Sequence, residues 1–152
     1  MGRIPKSVFR SEADLPFVRM GEGVTFQLLQ IDRKKGLWVV RMRFDPGVGI
    51  PRHKHTGEVL AYTISGAWKY REYPDVYKAG SYVHEPAGAE HTLQILEDNE
   101  GATEILFINY GVNINYDEDG NESARLGFED VLQMYRDACR DQGYEAPRVI
   151  GA

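Results

Sequence analysis

Three of the four histidines lie in two short segments whose spacing is typical of metal binding. His53 and His55 are separated by one residue, and residues i and i+2 of an extended strand face the same side of a sheet. Both imidazoles can therefore reach one point. His91 follows a Pro–x–Gly turn, Pro86 to Gly88, that would return the chain to the sheet. Three neutral imidazoles from two strands make a metal site with open positions, suited to iron, zinc, copper or nickel.

The segments around these histidines have the pattern of short strands joined by turns rich in glycine, proline and aspartate. Strands are predicted at Val24–Asp32, Leu37–Phe44, Val59–Ile64, Ala67–Tyr73, Ser81–Glu85, Thr92–Ile95, Thr103–Tyr110 and Val112–Tyr116. The last of these is expected to form one arm of a late hairpin, and the first 20 residues are expected to be irregular. Strands at this spacing predict an all-β sandwich or barrel.

One segment near the C-terminus has a helical pattern instead. Its apolar residues recur at the 3.6-residue period, at Phe128, Val131, Leu132, Tyr135, Ala138 and Cys139. Glu129 and Asp130 near the start suit the helix dipole, and Gly143 is well placed to end the helix. We predict one amphipathic helix at residues 128–142, packed on the outer barrel wall or at a subunit contact.

The composition sets broad limits on the function. The chain has 152 residues, enough for one domain of ordinary size, and a formal net charge of −5. That charge offers no basic surface for nucleic acid or for an anionic membrane. The single cysteine, Cys139, cannot form a disulfide framework, and no signal peptide or membrane-spanning run is apparent. We therefore expect a cytoplasmic single-domain protein over residues 1–152, with its β core at about residues 22–116.

The two histidine segments resemble the two signature motifs of the cupin superfamily. The first motif, G-x5-H-x-H-x3,4-E-x6-G, is matched at Gly47, His53, His55 and Gly66. The second motif, G-x5-P-x-G-x2-H-x3-N, is matched at Gly80, Pro86, Gly88 and His91, with Ile95 in place of the asparagine. The resemblance implies a cupin double-stranded β-helix, that is, a jelly-roll barrel, to which the predicted C-terminal helix is added.

One ligand position of the first motif departs from the pattern. With Gly66 fixing the register, the glutamate of the motif falls at Val59, whose side chain cannot bind metal. Glu58 is adjacent but lies on the opposite face of a regular strand, and only a β-bulge would turn it inward. We therefore expect a site of three histidines without a carboxylate, which leaves two or three positions for water, O₂ or substrate.

A longer stretch, residues 35–145, resembles the small cupin dioxygenases that cleave acetylacetone and 2,4'-dihydroxyacetophenone. The resemblance implies that His53, His55 and His91 bind Fe(II), although three imidazoles also accept Zn or Ni in recombinant protein. It further implies O₂-dependent cleavage of a carbon–carbon bond in an enolisable diketone or hydroxyketone. Small cupins of this kind are homo-oligomers, so we expect a homodimer or homotetramer.

The same resemblance places two catalytic residues, Glu85 and Arg71, beside the ligands. Glu85 alternates with Val83 and is predicted to face the barrel interior, where an unpaired carboxylate is costly. It needs a partner, which could be a ligand imidazole, a water or Arg71, and a carboxylate that orients a ligating histidine is a recurrent arrangement. A solvated surface position suits Arg71 equally well. His84 is out of phase with the inward positions and is expected to be structural.

Two other functions fit the same motifs. The region also resembles the zinc-binding cupin domain of some anti-sigma factors, which would make the chain a non-enzymatic metal-binding protein of regulatory type. Those domains are attached to a helical segment that binds the regulator, and no helical pattern precedes the strands here. A metal-dependent isomerase or hydrolase on the same scaffold is the third alternative, because a fold does not fix a function.

Overall fold

Antiparallel strands form two six-stranded sheets, the two layers of a jelly-roll barrel. The computed structural model describes residues 2–152. In spatial order, sheet A consists of β1 (Val18–Gly21), β2 (Val24–Asp32), β3 (Leu37–Phe44), β10 (Thr103–Tyr110), β5 (Val59–Ser65) and β8 (Tyr82–Glu85). Sheet B consists of β12 (Glu122–Leu126), β11 (Asn113–Tyr116), β4 (Gly49–His55), β9 (Glu90–Ile95), β6 (Ala67–Tyr70) and β7 (Tyr77–Lys78). The all-β jelly-roll prediction is confirmed.

The strands form because apolar side chains alternate with polar ones and bury one face of each sheet. In β3, Met42 is buried while its neighbours Arg41 and Arg43 point outward, and both arginines donate hydrogen bonds to Glu104 of β10, at 2.7 and 2.5 Å. Burial alone would raise the pKa of Glu104, but these hydrogen bonds outweigh it and hold the pKa below its ordinary value. This ion-pair cluster fixes β3 to β10 on the outside of the barrel.

The space between the sheets is filled by large apolar side chains. Among the most buried are Phe44, Leu28, Ile31, Trp68, Ile95 and Ile105. The one polar group of Trp68, its indole N–H, donates to the Thr63 hydroxyl at 2.8 Å, so this side chain is buried without an unsatisfied donor. The packed interior is what holds sheet B, and the histidines on it, at a fixed distance from sheet A.

The C-terminal helix α1 spans Phe128–Asp141 and ends one residue before the predicted bound. Gly143, with φ of +84°, adopts the left-handed conformation that commonly follows a helix end. The helix packs against β1 and β2, where the Tyr135 ring meets Phe26 edge-to-face with centroids 5.3 Å apart. Its stripe of apolar residues therefore covers one side of the barrel. Within residues 2–152, no helix has the length and apolar character needed to cross a membrane.

The N-terminal segment has more regular structure than the sequence predicted. A single turn of 3-10 helix forms at Glu12–Asp14, and β1 begins at Val18. The Arg10 guanidinium also donates to the Arg148 carbonyl at 2.5 Å, which ties the segment to the C-terminal end of the chain. The prediction that the first 20 residues are irregular is therefore wrong at Glu12–Asp14, where Asp14 accepts hydrogen bonds from Ser11, and from Val18 onward, where β1 pairs with β2.

Candidate metal centre

The three histidines lie on two adjacent strands of sheet B. His53 and His55 are buried in β4, while Lys54 between them is exposed, as the two-residue period of a strand requires. β9 pairs with β4 so that His91 lies directly opposite His53. The strand pairing therefore brings His91 to the other two imidazoles, although 36 positions of sequence separate it from His55.

The turn between β8 and β9 docks directly on the first histidine segment. The Gly88 N–H donates to the His55 carbonyl at 2.7 Å, and the His55 N–H donates to the Ala89 carbonyl at 3.0 Å. Gly88 has φ of +89°, a backbone conformation that residues other than glycine rarely adopt. The glycine of the Pro–x–Gly turn is thus required by backbone geometry, and the turn carries Glu85 and His91 to the same point.

One ring nitrogen from each histidine faces a common centre. These three nitrogens all lie within 4.8 Å of one another, and Nε2 of His55 is 3.2 Å from Nε2 of His91. Ligand atoms bonded at about 2.1 Å to one metal ion lie about 3.0–3.4 Å apart in octahedral or tetrahedral geometry. The His55–His91 separation therefore matches that of two ligands on one ion.

The other ring nitrogens are held by neighbours that fix the ring orientation. Nδ1 of His53 is 2.8 Å from the Pro51 carbonyl, and Nδ1 of His55 is 2.6 Å from Oδ1 of Asn113. Both partners are acceptors, so each Nδ1 carries the proton and each Nε2 keeps its lone pair. The His91 ring stacks on Tyr70, with centroids 3.7 Å apart. These contacts aim the lone pairs of His53 and His55 at the common centre.

The electrostatic environment keeps the imidazoles neutral. Burial lowers the pKa of His53, lowers that of His55 to about 4 and lowers that of His91 to about 3. The proximity of the other rings acts in the same direction on His55 and His91. At neutral pH the three rings are therefore uncharged and able to bind a metal ion, and the donor set fits Fe, Zn or Ni.

Glu85 lies on the same side as the free nitrogens. Its side chain is 3 % exposed, with Oε2 3.2 Å from Nε2 of His55 and Oε1 3.6 Å from Nε2 of His91. Neither carboxylate oxygen has a hydrogen-bond partner in the structure. Burial raises the pKa of this carboxyl to about 8. The orientation of His53 and His55 comes from Pro51 and Asn113, whereas Glu85 faces the nitrogens that would bind metal.

The other sequence candidates lie outside this cluster. Glu58 is half exposed and its Oε2 is 3.1 Å from Nε2 of His84, so the two form a surface pair. The pairing of β5 with β8 is regular from Val59 onward, and no bulge turns Glu58 inward. Arg71 is exposed and lines a polar surface groove near Arg52, so the structure does not bring it to the histidines or to Glu85.

A cavity lies beside His53 and His55, and its empty space of about 330 Å³ includes space open to solvent. Sheet A contributes Trp38, Val40 and Met42 from β3 and Phe107 and Asn109 from β10 to its wall. Sequence reasoning assigned none of these residues to the site. Their spacing at i, i+2 and i+4 in β3 does indicate a shared face, but it does not say that the face meets the histidines.

A second, mainly apolar cavity continues from the first. It has about 580 Å³ of empty space, part of it open to solvent, and it shares Trp38, Val40, Met42, Ile50, His53 and Asn113 with the first cavity. Met20 of β1 and Met134 of α1 line its outer part. Neither cavity is lined by a carboxylate, an arginine or a lysine among residues 2–152.

An antiparallel jelly-roll with three clustered histidines from the two motifs defines a cupin. Comparison with known protein families identifies which cupin family the chain belongs to. Residues 6–112 match the family model described as the ChrR cupin-like domain. Because that match spans well over half of the 152 residues, the chain belongs to this family. No curated protein matches the chain.

Solved structures extend the likeness to the whole chain. A protein of unknown function with a cupin-like fold from Ralstonia eutropha has a TM-score of 0.90 and 34% identity, with coverage of 100% of this chain and 96% of the other. An acetylacetone dioxygenase from Acinetobacter johnsonii has a TM-score of 0.76 and 19% identity, with 91% and 95% covered. The Rhodobacter sphaeroides complex of SigE with the anti-sigma ChrR has a TM-score of 0.52 and 20% identity, with 61% and 47% covered. At these last two identities the likeness shows the fold alone.

Proposed function

We propose that the chain is an Fe(II)-dependent dioxygenase that cleaves a carbon–carbon bond of an enolisable diketone or hydroxyketone with O₂. His53, His55 and His91 would hold the metal. The observation that carries the proposal is the cluster of three neutral imidazoles, two of which, His53 and His55, line a cavity with an uncharged, mostly apolar wall. Such a wall favours a small neutral ketone over a charged metabolite.

The charge balance of the site supports an enolate as the bound form of the substrate. Glu85 is the one carboxylate within 4 Å of the histidine nitrogens in the described part of the chain. A divalent cation held there keeps at least one positive charge, which a monoanionic enolate can neutralise. A 1,3-diketone or an α-hydroxyketone supplies two oxygens for chelation and loses a proton readily when chelated, so it fits this requirement.

When bound, Fe(II) supplies Lewis acidity towards the two substrate oxygens and redox chemistry with O₂. The protein itself would hold the metal ion and shield the substrate from water. Pro51 and Asn113 keep Nε2 of His53 and His55 unprotonated. Trp38, Val40 and Phe107 give the substrate an apolar wall that excludes bulk water. No protein nucleophile is required.

The fold comparison is consistent with this proposal but does not carry it. The acetylacetone dioxygenase structure matches 91% of this chain, whereas the ChrR complex matches 61%. The chain also spans nearly the full length of the dioxygenase, at 95% of it, but only 47% of the matched chain in the ChrR complex. The first likeness therefore extends over nearly all of the matched chain and the second over about half of it.

The test begins with metal content and then measures oxygen consumption. Protein purified without added metal is analysed for Fe, Zn and Ni, reconstituted anaerobically with Fe(II), and mixed with acetylacetone. We expect a charge-transfer band that decays when O₂ is admitted, with one O₂ consumed per diketone cleaved. His53→Ala, His55→Ala and His91→Ala should each abolish metal binding, and the surface variant His84→Ala should retain it. A metal-loaded protein with no band and no O₂ uptake over a panel of diketones and hydroxyketones would refute the proposal.

A second candidate function is favoured by the family match. The family model takes its description from ChrR, and an anti-sigma ChrR is among the structural matches, so a metal-binding domain of regulatory type is the alternative. That function predicts tight zinc binding without O₂ uptake on any ketone. The same metal analysis and oxygen-electrode panel therefore separate the two functions.

A further inference from the structure

We propose that Glu85 is a fourth metal ligand, which supplies from β8 the carboxylate that the first motif lacks at Val59. The inference rests on the proposed three-histidine metal site and changes its composition from three nitrogens to three nitrogens and one oxygen. The sequence predicted a centre without a carboxylate, with Glu85 acting through a histidine instead.

The first support is an unexplained carboxylate. Glu85 is 3 % exposed, and neither of its oxygens has a hydrogen-bond partner among the described residues. A buried carboxyl without hydrogen bonds costs several kcal/mol or more when ionised, and native proteins rarely leave one unsatisfied. Arg71, the cation that could have paired with it, is exposed at the surface. A metal ion at the centre of the three histidines would satisfy both the carboxylate and the free nitrogens.

The second support is distance. Oε2 of Glu85 is 3.2 Å from Nε2 of His55, the same separation that joins Nε2 of His55 to Nε2 of His91. Both values lie within the roughly 3.0–3.4 Å expected between neighbouring ligand atoms of one ion with bonds of about 2.1 Å. A carboxylate that merely oriented His55 would instead meet Nδ1, and that nitrogen is already bound to Asn113.

The third support is the register of sheet A. Val59 of β5 lies directly between Glu85 of β8 and Asn109 of β10, and the three form one row across the sheet. All three are buried, so the row faces the barrel interior. Directly paired residues have Cβ atoms about 4.5–5.5 Å apart, a gap that a glutamate side chain spans. A carboxylate at Glu85 can therefore reach the point that a carboxylate at Val59 would have reached.

The additional ligand narrows the class of substrate. Three histidines and one carboxylate leave two positions of an octahedral ion and a net charge of +1. A bidentate monoanion, such as the enolate of a 1,3-diketone, fills both positions and makes the buried centre neutral. A dianionic chelate would leave a negative charge in an apolar cavity and is disfavoured.

The test compares metal affinities in four forms of the protein. Zn(II) and Co(II) dissociation constants are measured by competition with a chromophoric chelator for wild type, Glu85→Gln, Glu58→Gln and the exchange variant Val59→Glu/Glu85→Val. Glu58→Gln is the matched control. Glu58 lies next to Val59, just before β5, and its carboxylate pairs with His84 at the surface. Visible absorption of the Co(II) forms reports the number and type of ligands independently of activity.

We expect Glu85→Gln to weaken binding by more than about 100-fold, beyond the 10–100-fold typical of a group that only touches a ligand. Its Co(II) spectrum should change, whereas Glu58→Gln should match wild type in both measurements. The exchange variant should recover most of the lost affinity, because it returns a carboxylate to the paired position. Circular dichroism identifies a variant that has lost its fold. If Glu85→Gln does not fold, the exchange variant still tests whether a carboxylate in this pair binds the metal, because it keeps one carboxylate in the pair.

Wild-type affinity with an unchanged Co(II) spectrum in Glu85→Gln would overturn the inference. A loss of 10–100-fold with an unchanged spectrum would also overturn it, because Glu85 would then act through a metal-bound water. Failure of the wild-type protein to bind any metal would instead contradict the proposed three-histidine site itself. The two failures are therefore distinguishable.

Discussion

The buried carboxyl of Glu85 makes the stability of the metal-free protein depend on pH. Its pKa is about 8 in the folded protein and lies near the ordinary value of 4.5 in the unfolded chain. Between these values the unfolded chain has lost the proton and the folded protein keeps it, so folding becomes less favourable as the pH rises. The stabilisation is complete below pH 4.5 and is lost as the pH approaches 8.

The size of the effect follows from the shift. Each pH unit in this interval is worth about 1.4 kcal/mol, so the free energy of unfolding should fall by about 2 kcal/mol between pH 6 and 8. The histidines act in the opposite direction, because their pKa values are lowered in the folded protein. Glu85→Gln keeps the histidines and removes the carboxyl, so the difference between the two proteins isolates its contribution.

The assay is urea unfolding of wild type and Glu85→Gln in the presence of a chelator, at half-unit steps from pH 6 to 8. The wild-type free energy of unfolding should decline relative to that of the variant by about 2 kcal/mol, with equal slopes in urea. An excess of Zn(II) should remove the decline, because the ion would replace the proton. Parallel pH profiles for the two metal-free proteins would show that Glu85 is not protonated in the folded state.

Three further outcomes are expected. Asn113→Leu removes the acceptor that fixes His55 and should weaken Zn(II) binding by about 10–100-fold, as chelator competition would show, while wild-type affinity would contradict the assigned role. Glu104→Gln leaves Arg41 and Arg43 without their anion and should lower the free energy of unfolding in urea by about 2 kcal/mol, whereas a change below about 0.5 kcal/mol would mean that the cluster is energetically neutral. Light scattering should give a dimer or tetramer mass, and a mass near 17.3 kDa would contradict the homo-oligomer.

Most strands could be predicted from the sequence where a turn signal bounds them on both sides. Val24–Asp32, Leu37–Phe44 and Thr103–Tyr110 coincide with β2, β3 and β10. Each is a long run of β-branched and aromatic residues between glycine, proline or charged turn residues. β1 and β7 were missed because they are short edge strands whose order comes from pairing with a neighbour.

The grouping of the histidines could also be predicted, because the i, i+2 spacing and the Pro–x–Gly turn are local. The role of Asn113 could not. It reaches His55 only because β11 pairs with β4 in a register that places Asn113 opposite His55, across 58 residues of sequence. No local pattern in Val112–Tyr116 encodes that register, since it is set by packing of the whole sheet.

Val59 and Glu85 show what the register of a sheet adds to a motif that is taken strand by strand. Each strand has the parity that faces inward, so the valine alone signals a lost ligand and the glutamate alone signals a buried acid in need of a partner. Their register makes them neighbours in one row. Carboxylates at both positions would lie within about 5 Å of each other in an apolar interior, where one of them would be forced to keep its proton. A glutamate at one position therefore disfavours a second carboxylate at the other, and the valine at position 59 is consistent with the proposed carboxylate ligand at Glu85.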